Sequence, residues 1–342
     1  MDNSAESLGQ FIKDARRILI TSHISPDPDA ISSALLLTRT LEVNYPDKKI
    51  VAALEERPNR DLSFLTDYEK IRFGPLNEVT GQFSPELFII VDANKFDRVS
   101  RLAKDQLAEF IAQNGVKTAV IDHHEPHDLD QVDVYINNHF PASSQEVYDL
   151  CFNRWRLSKP GGYAETTLIG IITDTYRFKY KNPRHRETFR LVSDLIDAGA
   201  DIEQLDNRLE HYAPGELKVV AELAVNFSSE ANYNFSFVSD EFVDSWRGSG
   251  VDDDFKSATE LFTNQFLRNT GSNRWGFIVN QELSEPGKYH VSFRAAGDIR
   301  DVSIIASTLG GGGHKPAAGA KFVAVSIEDA IDKVKAAIEQ AS

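Results

Sequence analysis

The chain has 342 residues, 41% apolar and 26% charged, an ordinary composition for a soluble globular protein and a length that favours two domains over one core. No window approaches the ~20 continuous apolar residues that span a bilayer, and the polar start MDNSAESLGQFIKDARR reads as neither a secretory signal nor a transit peptide. A formal charge of −15 disfavours sequence-blind attraction to long nucleic acid, yet leaves a small anionic substrate open, because bound divalent cations reverse the local field.

Residues 7–17 are expected to form an amphipathic helix leading into a strand at 17–22. His23-Ile24-Ser25-Pro26-Asp27-Pro28-Asp29 follows, then an apolar helix over 34–43. The two prolines keep 25–28 out of a helix, and Asp29 suits a helix start, where carboxylates are favoured. This turn is either a capped loop with an incidental histidine or a metal-binding HxxxDxD element. Strands are expected at 49–54 and 86–91, the second ending on Asp92. Arg98 lies in the polar turn behind it and reads first as a surface charge. A helix over 102–114 leads to the β-branched run Thr118-Ala119-Val120-Ile121, which delivers Asp122-His123-His124 at its end. Glu125, His127 and Asp128 read as loop residues.

A short strand at 132–136 precedes Ala142-Ser143-Ser144 and a helix over 145–154, with Ser143 or Ser144 as its N-cap. Cys151, the single cysteine, excludes an internal disulfide and reads as an inert buried thiol, which fits a cytoplasmic location. The apolar run 164–173 is expected to be helical and ends on Asp174, an acid costly to bury without a partner. Two helical pieces around 198–201 lead to a linker over 199–216. Beyond it the pattern becomes α+β: strands at 232–238, 274–281 and 288–294, helices at 240–247, 253–266 and 301–308. Gly310-Gly311-Gly312-Gly313-His314-Lys315 is conspicuous, since consecutive glycines are entropically expensive. Close approach of backbone amides to an anion would offset that cost; a flexible surface loop is the alternative.

Four segments therefore end in candidate ligands: His23/Asp27/Asp29, Asp92, Asp122/His123/His124 and Asp174. Converging at one sheet edge, they could hold two cations with a shared carboxylate. Such oxygen-rich ligation with imidazoles suits Mn²⁺, and also Mg²⁺, Co²⁺ or Fe²⁺, better than a thiolate zinc site.

The turn at 23–33, Val91-Asp92, Asp122-His123-His124 and Gly170-Ile171-Ile172-Thr173-Asp174-Thr175 resemble the four ordered motifs of the DHH phosphoesterase superfamily. Ser292-Phe293-Arg294 and the 310–319 loop resemble its companion DHHA1 domain. The resemblance implies an α/β fold: a mainly parallel-sheet DHH domain (1–198), a helical linker (199–216) and a smaller α+β DHHA1 domain (217–342). Length and domain pairing are similar to the NrnA-type group, which hydrolyses short oligoribonucleotides, pApA and 3′-phosphoadenosine 5′-phosphate. Carried over, it implies His23, Asp27 and Asp92 on one Mn²⁺, and Asp29, Asp92, His123 and Asp174 on the second, with Asp92 as bridge. His124 would face the scissile phosphate while Asp122 orients the site. Arg294, His314 and the amides of Gly311, Gly312 and Gly313 would hold the far end of the substrate, with Arg98 as a further phosphate contact. Pro28 and Tyr176 stand where the family usually has Gly. The alternatives are a cyclic-di-AMP phosphodiesterase, a RecJ-like single-strand exonuclease, and, from another class, a catalytically silent nucleotide- or RNA-binding module. The family also implies a homodimer, and no membrane partner is expected.

Overall fold

Continuous apolar runs make strands buried on both faces, and such strands pair side by side in parallel sheets covered by helices. The first half of the chain follows this rule. The computed structural model describes residues 3–100, 104–125, 132–180, 182–249, 252–297 and 299–341, and the chain divides into two units, Met1–Glu210 and His211–Ser342.

In the first unit β1 (Arg17–Thr21), β2 (Lys49–Leu54), β3 (Arg72–Phe73), β4 (Leu87–Val91), β5 (Lys117–Ile121) and β6 (Val134–Ile136) form an all-parallel sheet in the order β3-β2-β1-β4-β5-β6. Alternate residues point to opposite faces. Ile18, Ile20, Ile89 and Ile121 join one core, while Leu19, Phe88, Ile90 and Val120 join another. The helices are α1 (Ser4–Asp14), α2 (Pro28–Asn44), α3 (Leu76–Phe83), α4 (Lys104–Asn114), α5 (Ser143–Tyr148), α6 (Tyr163–Asp174), α7 (His185–Asp197) and α8 (Ile202–Leu209). Leu76 of α3 and Ile111 of α4 pack on the second face, and the other helices build the first. Leu205 and Leu209 bury α8 in that first core.

Several boundaries differ from expectation. The first helix lies at Ser4–Asp14 because Ala15 turns extended and leads directly into β1. α2 starts at Pro28 rather than residue 34: proline at the first helical position loses no hydrogen bond and has its φ already set. Neither Ser143 nor Ser144 is an N-cap; Ala142 holds that position and both serines are helical. Their amide groups go to Asp29 instead. The helix then continues as a π-helix over Asp149–Arg154. Leu102, Pro126, His127 and Asp128 lie outside the described residues.

The second unit contains α9 (Pro214–Val225), β7 (Ser228–Ser229), β8 (Asn234–Phe237), α10 (Asp240–Trp246), α11 (Asp252–Phe262), β9 (Trp275–Gln281), β10 (Lys288–Ala295), α12 (Val302–Thr308), β11 (Gly312–His314), β12 (Ala317–Val323) and α13 (Ile327–Gln340). The sheet order is β11-β12-β10-β9-β8-β7, antiparallel except for the parallel β8–β9 pair. Residues of α12 and α13 cover one face; residues of α9, α10 and α11 cover the other. The expected glycine loop is thus largely a hairpin, and Pro214 opens a helix. Among the described residues no helix is long and apolar enough to cross a membrane.

Candidate metal centre

β1, β4 and β5 are neighbours, and the strand order reverses between β1 and β4, the place where open parallel sheets bind ligands beyond their carboxyl ends. Those ends carry His23, Asp92 and Asp122-His123-His124. Asp27 caps α2: its Oδ1 accepts the amide protons of Asp29 and Ala30, both at 3.0 Å. Its Oδ2 stays near His23, 3.8 Å from Nε2. Capping therefore uses one oxygen and leaves the other open to a ligand role, so the two readings of this turn are compatible.

Asp29 is fully buried in the first turn of α2. The amides of Ser143 and Ser144 donate to its Oδ2 and Oδ1 at 2.6 and 3.0 Å. Gly170 makes room for it, since a Cβ there would lie 2.1 Å from Asp29 Oδ1. Asp92 has a left-handed backbone, φ +54°, uncommon for a residue with a side chain and concentrated at functional sites. Its Oδ2 is 3.5 Å from His23 Nε2, while its Oδ1 is 3.6 Å from His123 Nε2 and 3.7 Å from His124 Nδ1. Asp174 ends α6 with Oδ2 2.9 Å from His123 Nε2. Asp122 Oδ1 accepts from the His124 amide at 3.1 Å and lies 2.8 Å from His124 Nδ1. The His124 carbonyl accepts from Tyr135 Oη and Asn137 Nδ2, both at 2.6 Å, so its ring and backbone are both fixed.

Three groups could each hold a cation, with ligand atoms within 4.8 Å of one another: His23/Asp27/Asp92, Asp29/His123/Asp174 and Asp92/Asp122/His123/His124. Asp92 and His123 belong to two groups each. The electrostatics fit a cation as well. Burial, with repulsion from Asp27, Asp29 and Asp174, raises the Asp92 carboxyl well above the usual range. Burial and repulsion from Asp29 and Asp27 do the same to Asp174, and burial raises Asp29. Burial also lowers the His23 imidazole, with Arg98 adding to the shift. Asp122 and His124 form a contrasting pair. Burial opposes charge on both, but their mutual hydrogen bond and attraction hold Asp122 below and His124 above their ordinary values. Among the described residues, Asp122 Oδ2 has no hydrogen-bond partner, and His123 Nε2 meets Asp174 Oδ2 at 2.9 Å as an ion pair that lacks hydrogen-bond geometry; orphaned buried polar atoms need an explanation. A cation between these carboxylates and imidazoles supplies one for His123.

Residues 17–171 match the DHH family, N-terminal domain, and residues 253–340 match the DHHA1 domain. The chain thus carries a DHH-family N-terminal domain followed by a DHHA1 domain. It is 28% identical over 312 residues to the bifunctional oligoribonuclease and PAP phosphatase NrnA of Mycoplasma pneumoniae, covering 89% of this chain and 87% of that protein. The NrnA of Mycoplasma genitalium is 25% identical over 334 residues, covering 94% and 95%. An exopolyphosphatase-related protein from Bacteroides fragilis shares the fold, with a TM-score of 0.81 at 22% identity over 98% of this chain and 96% of that one.

The DHH part thus collects His23, Asp27, Asp29, Asp92, Asp122, His123, His124 and Asp174. Arg98 is exposed, and its carbonyl accepts the Ile24 amide proton at 2.6 Å. The DHHA1 part carries the other expected residues. Cross-strand partners share a sheet face, so the register Arg294↔Ala317↔His314 puts Arg294 and His314 on one face, with Ser292↔Gly319↔Gly312 in the next row. Arg294 Nε donates to Asn264 Oδ1 at 3.2 Å. The glycines now divide. A Cβ on Gly311 would lie 2.1 Å from the Gly319 carbonyl oxygen, and one on Gly313 would lie 2.6 Å from that of Ala317. Both are required by the hairpin itself, whereas a Cβ on Gly312 would meet nothing.

Sequence reasoning missed Ser143 as a residue of the DHH site. Its hydroxyl donates to Asp92 Oδ1 at 3.0 Å, lies 3.4 Å from Asp122 Oδ1, and accepts the His123 amide proton at 3.3 Å. The only local signal was a serine pair ahead of a helix.

Proposed function

We propose that the chain hydrolyses phosphoester bonds in short nucleotides: short oligoribonucleotides, pApA and 3′-phosphoadenosine 5′-phosphate. The observation that carries this reading is the sharing of Asp92 between a His23/Asp27 cluster and the His123/His124 cluster, beside the Asp29/His123/Asp174 cluster, at the switch point of a parallel sheet. His23, Asp27 and Asp92 would hold one Mn²⁺, and Asp29, Asp92, His123 and Asp174 a second; Mg²⁺, Co²⁺ or Fe²⁺ suits the same donors. Bound there, the cations would acidify the attacking water and neutralise charge on the phosphoryl oxygens.

The chain's own residues do the rest. Asp122 fixes the His124 ring through Nδ1 and raises its proton affinity, leaving Nε2 to donate to a phosphoryl oxygen as negative charge grows on it. Arg294, His314 and the backbone at Gly312 would hold a terminal phosphate or nucleotide from the DHHA1 part, where Gly312 is open to close approach. Arg98 is proposed as a further phosphate contact. The NrnA relatives, matched across most of their length, support this substrate class. A Mn²⁺-supplemented panel of pApA, 3′-phosphoadenosine 5′-phosphate, cyclic di-AMP and RNAs of two to about twenty-four nucleotides tests the reading. Mononucleotide release from the shortest substrates supports it, and activity on none of them overturns it.

A further inference from the structure

Ser143 is fully buried, and among the described residues every hydrogen bond it makes outside its own helix goes to the candidate metal centre or its backbone. A hydroxyl has one proton to donate and lone pairs to accept. The His123 amide takes one lone pair, at 3.3 Å. Two carboxylate oxygens compete for the proton: Asp92 Oδ1 at 3.0 Å and Asp122 Oδ1 at 3.4 Å. Asp122 Oδ1 already receives the His124 amide and faces His124 Nδ1 at 2.8 Å. The shorter, less crowded bond to Asp92 takes the proton. Meanwhile the Ser143 amide donates to Asp29 Oδ2 at 2.6 Å. One residue thus touches Asp29, Asp92, Asp122 and the backbone of His123, which reach the site from three separate stretches of the chain.

The effect falls on Asp92. Its Oδ2 faces His23 at 3.5 Å and its Oδ1 faces His123 at 3.6 Å. A carboxylate free to turn about its terminal torsion would not keep its plane aligned with both halves, because that torsion is broad, although a half-turn merely exchanges the two equivalent oxygens. We propose that Ser143 is a positioning residue whose hydroxyl holds Asp92 Oδ1 on the His123 side, so that Oδ2 serves the His23/Asp27 half of the centre. The proposal rests on the two-cation reading of Asp92.

The test is Mn²⁺ binding by calorimetry and low-temperature electron paramagnetic resonance, on the full-length parent, Ser143→Ala and Ser143→Cys. The cysteine variant keeps the side-chain shape, at a slightly larger volume, and the backbone amide but donates poorly, and it guards against misfolding of the alanine variant. The parent is expected to bind two Mn²⁺ per chain with an exchange-coupled signal. Both variants are expected to keep the first Mn²⁺, to bind the second at least tenfold more weakly, and to lose the coupled signal. A merely structural serine would lower thermal stability without altering the coupling. A parent with two coupled Mn²⁺ beside variants of equal affinity and coupling overturns the role of Ser143 alone. A parent that binds fewer than two overturns the two-cation reading and this proposal together.

Discussion

Gly170→Ala sets helix propensity against packing, with opposite signs. Alanine is better than glycine in a helix interior by about 0.8–1.0 kcal/mol, so α6 taken alone predicts a more stable protein. In the structure the new methyl would fall 2.1 Å from Asp29 Oδ1 and 2.3 Å from Ser144 Oγ, more than 1 Å inside ordinary contact. With both Asp29 and Ser144 in the way, α6 must retreat and Asp29 must also give up an amide of Ser143 or Ser144, so the two costs add. Overpacking a close-packed interior costs about 1–3 kcal/mol, and losing one hydrogen bond to a charged carboxylate costs about 1.5–3 kcal/mol. The net expectation is a destabilisation of about 2–4 kcal/mol. For a unit of 210 residues that lowers Tm by roughly 5–15 °C, read by thermal denaturation of the chelated protein with urea denaturation as a check. An unchanged or raised Tm would refute the close approach of α6 to Asp29.

Metal removal should expose the repulsion among the acids. A carboxylate raised in the folded state binds protons more tightly there than when unfolded, so its destabilising effect is full at high pH and is relieved as pH falls through its folded value. With EDTA, Asp92→Asn is therefore expected to be more stable than the parent near pH ~8, by at least about 1 kcal/mol, with the gap closing towards pH ~5; a gap constant with pH would contradict the raised carboxyl. His314→Ala, on the exposed β11 edge, should raise KM for pApA several-fold at near-constant kcat. An unchanged KM would remove it from the substrate grip. Cys151 is buried with its thiol pushed up by burial, so a thiol reagent at pH ~8 should modify it only as fast as the protein unfolds. Rapid labelling of the folded protein would contradict its inert placement.

Much of the parallel sheet was legible because its central strands are buried on both faces. Leu87–Val91 and Lys117–Ile121 read as strands from their apolar runs, and their ends therefore marked the site. Asp27 was legible as a candidate ligand, while the helix-start carboxylate was read at Asp29; the structure makes Asp27 the cap through Oδ1 and leaves its Oδ2 facing His23. β12 was not legible: Ala317-Ala318-Gly319-Ala320 has little strand propensity and is extended because β10 and β11 pair with it. The glycines beside it invited an anion-loop explanation, although Gly311 and Gly313 are required by backbone packing. α13 was passed over although Ile327, Ile331, Val334 and Ile338 fall at helical spacing behind Ser326, which caps it. Ser143 lay beyond local reasoning for another reason. Its partners Asp29 and Asp92 are 114 and 51 residues away, so only the tertiary fold reveals the contact.

The most direct test of the central claim is Mn²⁺-dependent hydrolysis of pApA by the parent and by Asp92→Asn. Asparagine tolerates the left-handed backbone at this position, so the variant should fold while losing the charge shared between the two halves of the centre. The account predicts robust mononucleotide release by the parent, at least a hundredfold less by the variant (about 3 kcal/mol in the barrier), and a circular dichroism spectrum that does not change. Parental activity in Asp92→Asn would contradict it.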